Sequence, residues 1–344
     1  MANMNNINIS AYLSKNFTSS FLTIFLPLFF IGSLVFIIKI SALTASIQVS
    51  FLELIQIFSY HIPEILFYIL PVSFLVAVVI TLLRLSNDNE LMAIFSLGVN
   101  ANAIVKRFLF IAVLFSLILL LLSLALMPKA RQQFKAFQYE KTAQAQVNIN
   151  PSKLGQKFDN LFIYVKSKDK NIMKNIVIYQ KDKNNKAQLF IAKEANFKTE
   201  KSLITLILKN GSGYTFSEDS LEEINYKSMK VFKNLNTDAF TYNSIVDYWT
   251  SLSKNEHKKR KILYFIFLSL IPIMGLYAIS AFSIINPRYN KNYAYHILAV
   301  ATIVPYGIAT VLDKQGTPLM LFGIFILLII IGYSIFKRNV LRYF

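Results

Sequence analysis

Few residues in this sequence have the types and spacing that catalytic chemistry requires. The 344-residue chain contains no cysteine and only 10 glycines, and no Gly-x-x-x-x-Gly-Lys-Ser/Thr phosphate loop occurs among them. His61, His257 and His296 are scattered, and no His-Glu-x-x-His motif sets two of them on one helix face. We therefore predict no catalytic residue, no metal site and no cofactor, so that any energy source must be a partner.

One short segment has the composition of a docking element. Asn87 is a candidate helix cap, with Glu90 at capping-box distance, and Gly98 is a natural stop. Asp88 suits the positive end of the helix dipole. The apolar stripe of this segment consists of Leu91, Ile94 and Phe95, with Leu97 as a further candidate member. Such a helix either lies in the membrane interface or docks into a groove on a cytoplasmic ATPase, where Glu90 would pair with a basic residue.

A second group of candidate site residues is basic. These residues lie near the predicted outer boundary of the membrane, and they are Lys39, Lys129, Arg131, Lys258, Lys259, Arg260, Lys261 and Lys314. Long basic side chains at this depth can simply snorkel towards water. Alternatively they form a ring that binds the phosphates of a lipid head group through charge-assisted hydrogen bonds.

Six long apolar stretches must position these groups. Each has about 18 or more residues without Asp, Glu, Lys or Arg, which is typical of a membrane-spanning helix. They are residues 16–38, 65–83, 108–128, 262–287, 292–312 and 315–336. Because lipid offers no hydrogen-bond partners, each stretch is predicted to be a helix.

The polar block between the third and fourth stretches has a different pattern. Its short β-like runs are Leu161–Lys166, Ile172–Tyr179, Gln188–Ala192, Leu203–Leu208 and Ile224–Phe232, with a turn expected at Gly211–Gly213. Many short strands at this spacing favour a sandwich or jelly roll. We therefore expect three domains: helices one to three with the docking segment 87–98 in residues 1–128, an all-β, jelly-roll-like domain with flanking helices in 129–261, and helices four to six in 262–344.

Charge predicts the orientation. One set of tails and short loops carries nine basic residues, namely Lys15, Arg84, Lys106, Arg107, Arg288, Lys291, Lys337, Arg338 and Arg342, whereas the opposite short loops carry only Lys39 and Lys314. By the positive-inside rule both termini are cytoplasmic and the central domain is periplasmic, in a bacterial inner membrane. The net charge of +18 on a membrane-tethered chain favours anionic lipid over nucleic acid as a partner.

The whole layout resembles the LptF/LptG (YjgP/YjgQ) permeases, the membrane subunits of the lipopolysaccharide-export ABC transporter. The segment Leu85–Gly98 is similar to the family's Leu-Ser/Tyr-x-x-Ser-Glu-Leu…Gly coupling segment. Asn286-Pro287-Arg288 is similar to a motif of the LptF branch, so the chain looks LptF-like more than LptG-like. The proline that usually starts span four is absent, since residues 256–261 run straight into Ile262.

This resemblance implies a non-catalytic permease subunit that extracts lipopolysaccharide from the outer leaflet and passes it to a periplasmic bridge. Glu90 would contact the ATPase LptB, with Asp88, Leu91, Ile94, Phe95 and Gly98 completing the coupling segment. Lys39 would lie near the lipid A phosphates, and spans one and five would line lateral gates. The implied partners are a homologous permease, giving an LptF/LptG heterodimer, together with LptC at the β domain.

Two other functions remain open from the residues themselves. A membrane-anchored periplasmic ligand-binding or sensor protein, with no transport role, would need neither an ATPase nor the docking segment. An ion-coupled transporter is disfavoured because the apolar stretches contain no paired carboxylates.

Overall fold

The chain divides into a helical unit and a β-sheet unit. The computed structural model describes residues 2–44, 49–147, 156–158, 161–169, 172–181, 187–200, 203–216, 220–234, 248–249, 256–286 and 293–343. One compact unit comprises Met1–Ala42, Leu52–Arg131 and Tyr242–Phe344, and the other comprises Leu43–Phe51 and Gln132–Thr241. The long apolar helices belong to the first unit and the strands to the second.

Six helical segments in the described part of the chain are long and apolar enough to cross a membrane, which confirms the predicted spans. The helices are α1 (Ala2–Thr44), α2 (Phe51–Asn87), α3 (Glu90–Ser96), α4 (Ala101–Leu121), a π-helical turn (Leu122–Leu126), α5 (Met127–Val147), α6 (Glu256–Ser269), α7 (Ile271–Ser283), α8 (Ala294–Gln315) and α9 (Pro318–Asn339). The short helix α3 lies between the second and third spans, and α6 and α7 together form the fourth.

Prolines shape two of these spans differently. Pro63 and Pro71 lie inside α2, which is nevertheless continuous for 37 residues. The fourth span is interrupted at Leu270, just before Pro272 in the first turn of α7. Pro272 has no N–H and cannot donate to the carbonyl of Leu268 in any case. A helix boundary here therefore breaks one hydrogen bond fewer than a boundary elsewhere in the span would.

The interior of the helical unit is built from α2, α4, α6 and α7. Phe67 and Phe74 on α2, and Phe267 and Ile279 on α6 and α7, are completely buried in one apolar cluster. By contrast α1, α8 and α9 carry rows of exposed apolar side chains, including Phe30, Leu34, Ile303, Val311, Phe322 and Ile330. Such faces are stable only against lipid tails or another apolar helix.

The inserted block forms one six-stranded antiparallel sheet. Its strands are β1 (Gln156–Phe158), β2 (Leu161–Asp169), β3 (Ile172–Lys181), β4 (Ala187–Glu200), β5 (Leu203–Phe216) and β6 (Leu221–Asn234). A helical membrane protein with an inserted β domain is therefore confirmed. In the described strands the spatial order follows the chain order, which is a meander, whereas the expected jelly roll requires crossing connections.

The expected turn at Gly211–Gly213 is wrong. Both glycines lie inside β5, where Gly211 pairs with Ala192 on one side and with Tyr226 on the other. A Cβ atom on Gly211 would stand 2.0 Å from the carbonyl oxygen of Ile191 and 2.6 Å from the Tyr226 hydroxyl. That hydroxyl donates a 3.1 Å hydrogen bond to Ile191, and burial raises the pKa of Tyr226, which keeps the donor protonated. These glycines therefore allow side chains and backbone of the neighbouring strands to come close to β5, and they do not form a turn.

A single row of residues interrupts the register of β3 to β6. The row consists of neighbouring positions that the antiparallel register skips although the pairs on either side belong to it, and its members are Asn175, Lys193, Asn210 and Lys227. Asn175 and Asn210 have φ angles of 53° and 51°, in the left-handed region that asparagine tolerates better than most residues.

The row changes which side chains face the core. In a regular strand, residues that face the same side are an even number of positions apart. Across this row the buried residues are three positions apart, namely Met173 and Ile176 on β3 and Ala192 and Ala195 on β4. Residues from both sides of the row nevertheless join one apolar cluster. We conclude that the row shifts the alternation of inward and outward side chains by one position, so that residues on both sides of it reach the same core.

Candidate functional site

The docking segment begins where the end of α2 is tied to the end of α7. The buried hydroxyl of Ser86 donates to the carbonyl of Ser283 at 3.0 Å and accepts from the N–H of Ile285 at 3.3 Å. Because both partners are backbone groups, the tie does not depend on the identity of the side chains at those positions. It holds the start of the docking segment against the fourth span.

The predicted capping box is wrong. Asn87 is the last residue of α2, and Asn89, with φ 60°, precedes α3 without making a side-chain cap. The helix α3 therefore has only seven residues, Glu90–Ser96. Gly98 does have the positive φ expected of a helix stop, at 84°.

The apolar stripe of α3 faces its own helical bundle. Leu91 is completely buried, and Ile94 and Phe95 are half-buried against the same apolar cluster. Leu97, one residue beyond the helix, is 78% exposed. The stripe therefore seats α3 on the bundle. The exposed residues of the segment are Asn87, Asp88, Asn89, Ala93, Ser96, Leu97 and Gly98, and Glu90 is half-buried.

The carboxylate of Glu90 is held by a residue that the sequence did not single out. Its Oε2 atom accepts a hydrogen bond of 2.5 Å from the hydroxyl of Tyr12 in α1. Asp88 forms a looser contact of 3.8 Å with Arg84, one turn earlier. The Tyr12 contact places the N-terminal part of α1 beside the docking segment, at one end of the helical unit.

The eight basic candidates fall into groups with different surroundings. The side chains of Lys39, Lys129, Lys259, Lys261 and Lys314 are exposed, and that of Lys258 lies outside the described residues. Arg260 is half-buried, and its guanidinium donates to the carbonyl of Lys314 in the last turn of α8. The structure thus brings Arg260 and Lys314 together and uses Arg260 to join α6 to α8.

Arg131 joins three helices. Its Nη2 atom lies 2.8 Å from Oε1 of Glu64 on α2, and its guanidinium carbon lies 5.6 Å from the ring centroid of Phe265 on α6. The sequence signal for this contact was Glu64, a lone acid directly before the second apolar stretch. A search for charged residues inside the apolar stretches does not find it. His61, one turn before Glu64, stacks on Phe36 of α1 with ring centroids 3.8 Å apart.

The sequence of this chain matches a known protein family. A sequence model of the family described as lipopolysaccharide export system permease LptF/LptG matches residues 11–338. The matched range contains the inserted sheet and almost the full length of all six spanning helices. A search of curated proteins gave no match.

Proposed function

The chain belongs to the LptF/LptG family of lipopolysaccharide export permeases, and from that premise we propose that it is the LptF-type subunit that lifts lipopolysaccharide from the inner membrane. Members of this family are permease components of an ABC transporter and are not themselves catalytic. The observation that carries the proposal is the family match over residues 11–338, together with three spans on either side of a β-sheet. In this proposal a separate ATPase, LptB, supplies the energy.

We place both termini in the cytoplasm and the sheet in the periplasm. The Tyr12–Glu90 contact supports part of this arrangement, because it sets the N-terminal part of α1 and the loop between spans two and three at one end of the unit. That tail and that loop carry Lys15, Arg84, Lys106 and Arg107. Their positive charge favours the cytoplasmic side.

The docking segment is the proposed contact with LptB. Glu90 would bind a basic residue of the ATPase, and Asp88 and Leu97 would complete the contact surface. The buried and half-buried side chains of Leu91, Ile94 and Phe95 would transmit the movement, because they pack against the spans. Gly98 would set the direction of the chain as it leaves α3.

The exposed lysines are the proposed contacts with the lipid head group. Lys39, Lys129, Lys259, Lys261 and Lys314 have side chains open to solvent, and Lys258 and Arg260 precede the fourth span in the same basic run. Ammonium and guanidinium groups make strong charge-assisted hydrogen bonds to phosphate. Arg131 already pairs with Glu64, so it would have to give up this partner to bind a lipid phosphate.

Two kinds of protein partner fit the remaining surfaces. The apolar outer faces of α1, α8 and α9 suit a homologous permease, which would complete an LptF/LptG heterodimer. The strand β6 is 14 residues long and pairs only with β5 among the described strands. LptC could add a strand at that edge and lead to the periplasmic bridge.

Affinity purification in mild detergent tests the proposal. The wild-type chain should co-purify with LptB, and Glu90→Arg should abolish that association by opposing like charges, whereas Glu90→Gln should weaken it less. Glu194→Arg is the matched control, since it makes the same charge reversal at an exposed position of β4, outside the docking segment. Intact association in Glu90→Arg would show that the docking segment does not couple this chain to an ATPase.

A further inference from the structure

The acid that pairs with Arg131 has the wrong charge for a site that binds phosphate. Glu64 follows a run of apolar and uncharged residues on α2, and its carboxylate lies 2.8 Å from the guanidinium of Arg131. While this contact holds, the pair has no net charge and offers little attraction to an anion. Glu64 must therefore either stabilise the fold or control the charge that Arg131 presents to a ligand.

The pair is too open to be a strong structural tie. The side chains of Arg131 and Glu64 are 30% and 35% exposed, so the pair is not sealed inside the helical unit. Ion pairs of this kind contribute little net free energy, because the Coulomb gain is offset by desolvation and by lost side-chain entropy. The structure records one nitrogen–oxygen contact rather than a bidentate pair, which leaves other N–H donors of Arg131 for a second acceptor.

Arg131 has a support that does not depend on Glu64. The ring of Phe265 lies beneath the guanidinium at 5.6 Å, a distance at which a cation is attracted to an aromatic face. Loss of the carboxylate would therefore leave the guanidinium in place. A phosphate, which has more charge and more acceptor oxygens than a carboxylate, matches its planar donor set better.

The surroundings favour an incoming anion once the carboxylate has moved. His61 lies one turn before Glu64 and interacts electrostatically with Glu64, Arg131 and Lys39. Among these groups Glu64 is the one that carries negative charge. Its departure would leave Arg131 without the carboxylate that balances its charge.

We propose that Glu64 is the resident counter-anion of Arg131 and that a phosphate of a lipid head group displaces it. In the empty state Glu64 neutralises Arg131, whose guanidinium lies over the ring of Phe265. In the loaded state the phosphate takes the guanidinium, and the carboxylate turns towards water. This inference rests on the proposed function and assigns Glu64 as a residue that sets affinity for phosphorylated lipid.

The test is equilibrium binding of labelled lipid A, with both phosphates or with none, to the purified full-length chain in its permease complex. Glu64→Gln should raise affinity for the phosphorylated lipid by about twofold to fivefold, the factor that corresponds to a half-exposed ion pair. Glu64→Asp keeps the charge but is one methylene too short for the same contact, so it should raise affinity by a smaller factor.

Arg131→Gln separates direct exchange from a general charge effect. In that background Glu64→Gln should no longer raise affinity, because the exchanged partner is absent. Glu53→Gln removes an acid from the same helix and should leave affinity unchanged. Inorganic phosphate should compete poorly, since it has no acyl chains; full competition would assign the exchange to free phosphate and overturn the head-group assignment.

Three results would overturn the inference. Unchanged or lower affinity in Glu64→Gln, with lipid binding that still depends on phosphate, would make the pair a structural tie and leave the proposed function intact. An equal rise in the Arg131→Gln background would show that only net charge matters. Equal binding of both lipids by the wild-type chain would remove the phosphate site altogether and would count against the proposed function as well.

Discussion

The indole N–H of Trp249 donates a 2.7 Å hydrogen bond to the backbone carbonyl of Leu124. In a regular helix that carbonyl would accept from residue 128, but Pro128 has no N–H. The helix widens into a π-helical turn at Leu122–Leu126 just before this proline. The chain's one tryptophan therefore supplies a donor to a carbonyl that cannot accept from the residue four positions further on.

This relationship predicts an unfolding effect that depends on the proline. Trp249→Phe keeps an aromatic ring but removes the donor, and it should lower the free energy of unfolding by about 1–3 kcal/mol. In a Pro128→Ala background the restored N–H can serve Leu124, so the same substitution should cost less. Circular dichroism melts of the four variants in detergent measure the coupling. Equal losses in both backgrounds would mean that the hydrogen bond contributes nothing measurable.

The interrupted row of the sheet predicts an unusual order of substitutions at Asn210. Asn210→Gly should be tolerated, because glycine adopts a φ of 51° without steric cost, whereas Asn210→Val should destabilise the sheet by about 1–2 kcal/mol. Hydrogen exchange of β4–β6 amides in the full chain reports local stability. Asn196→Val, at an exposed and paired position of β4, is the control and should have little effect.

Gly98 offers a test of how the docking segment leaves α3. A Cβ atom at this position meets nothing within 4 Å, so a substitution is opposed by the backbone φ of 84° alone. Gly98→Val should therefore cost about 1–2 kcal/mol locally and weaken LptB binding, and Gly98→Asn should have a smaller effect on both. Pull-down yield against LptB concentration measures this difference. Similar yields for the two variants would show that the backbone conformation at Gly98 does not affect the association with LptB.

The absence of cysteine makes the proposed orientation directly measurable. Leu97→Cys introduces a thiol on the exposed loop, and Lys230→Cys introduces one on the exposed side of β6. A membrane-impermeant maleimide applied to spheroplasts should label Lys230→Cys, and it should reach Leu97→Cys only after the membrane is opened. The reverse pattern would place the sheet in the cytoplasm, where it could not receive exported lipid.

Sequence patterns predicted the features that depend on composition over many residues. The six spans followed from long charge-free stretches, and the β domain followed from short β-like runs, of which residues 225–232 alternate clearly and lie inside β6. Gly98 was predicted as a stop and has the conformation of one. Each of these signals is local, and tertiary packing does not oppose it.

Features that depend on distant partners were not visible in the sequence. The capping box failed because α2 extends through Asn87, and packing of α2 in the bundle outweighs the preference of asparagine for caps. Gly211 resembled a turn residue because glycine is typical of turns. It is needed here for another reason, since a side chain would collide with Tyr226 and the backbone of Ile191. The contacts of Glu64 with Arg131 and of Tyr12 with Glu90 join residues 67 and 78 positions apart.

Lipid transfer in a reconstituted system tests the central claim most directly. Proteoliposomes that contain this chain, its partner permease and LptB would receive labelled lipopolysaccharide, and transfer to a soluble LptC acceptor would be followed after ATP is added. We predict ATP-dependent transfer that disappears in Glu90→Arg, while LptB on its own still hydrolyses ATP. Equal transfer without ATP, or without this chain, would contradict the account.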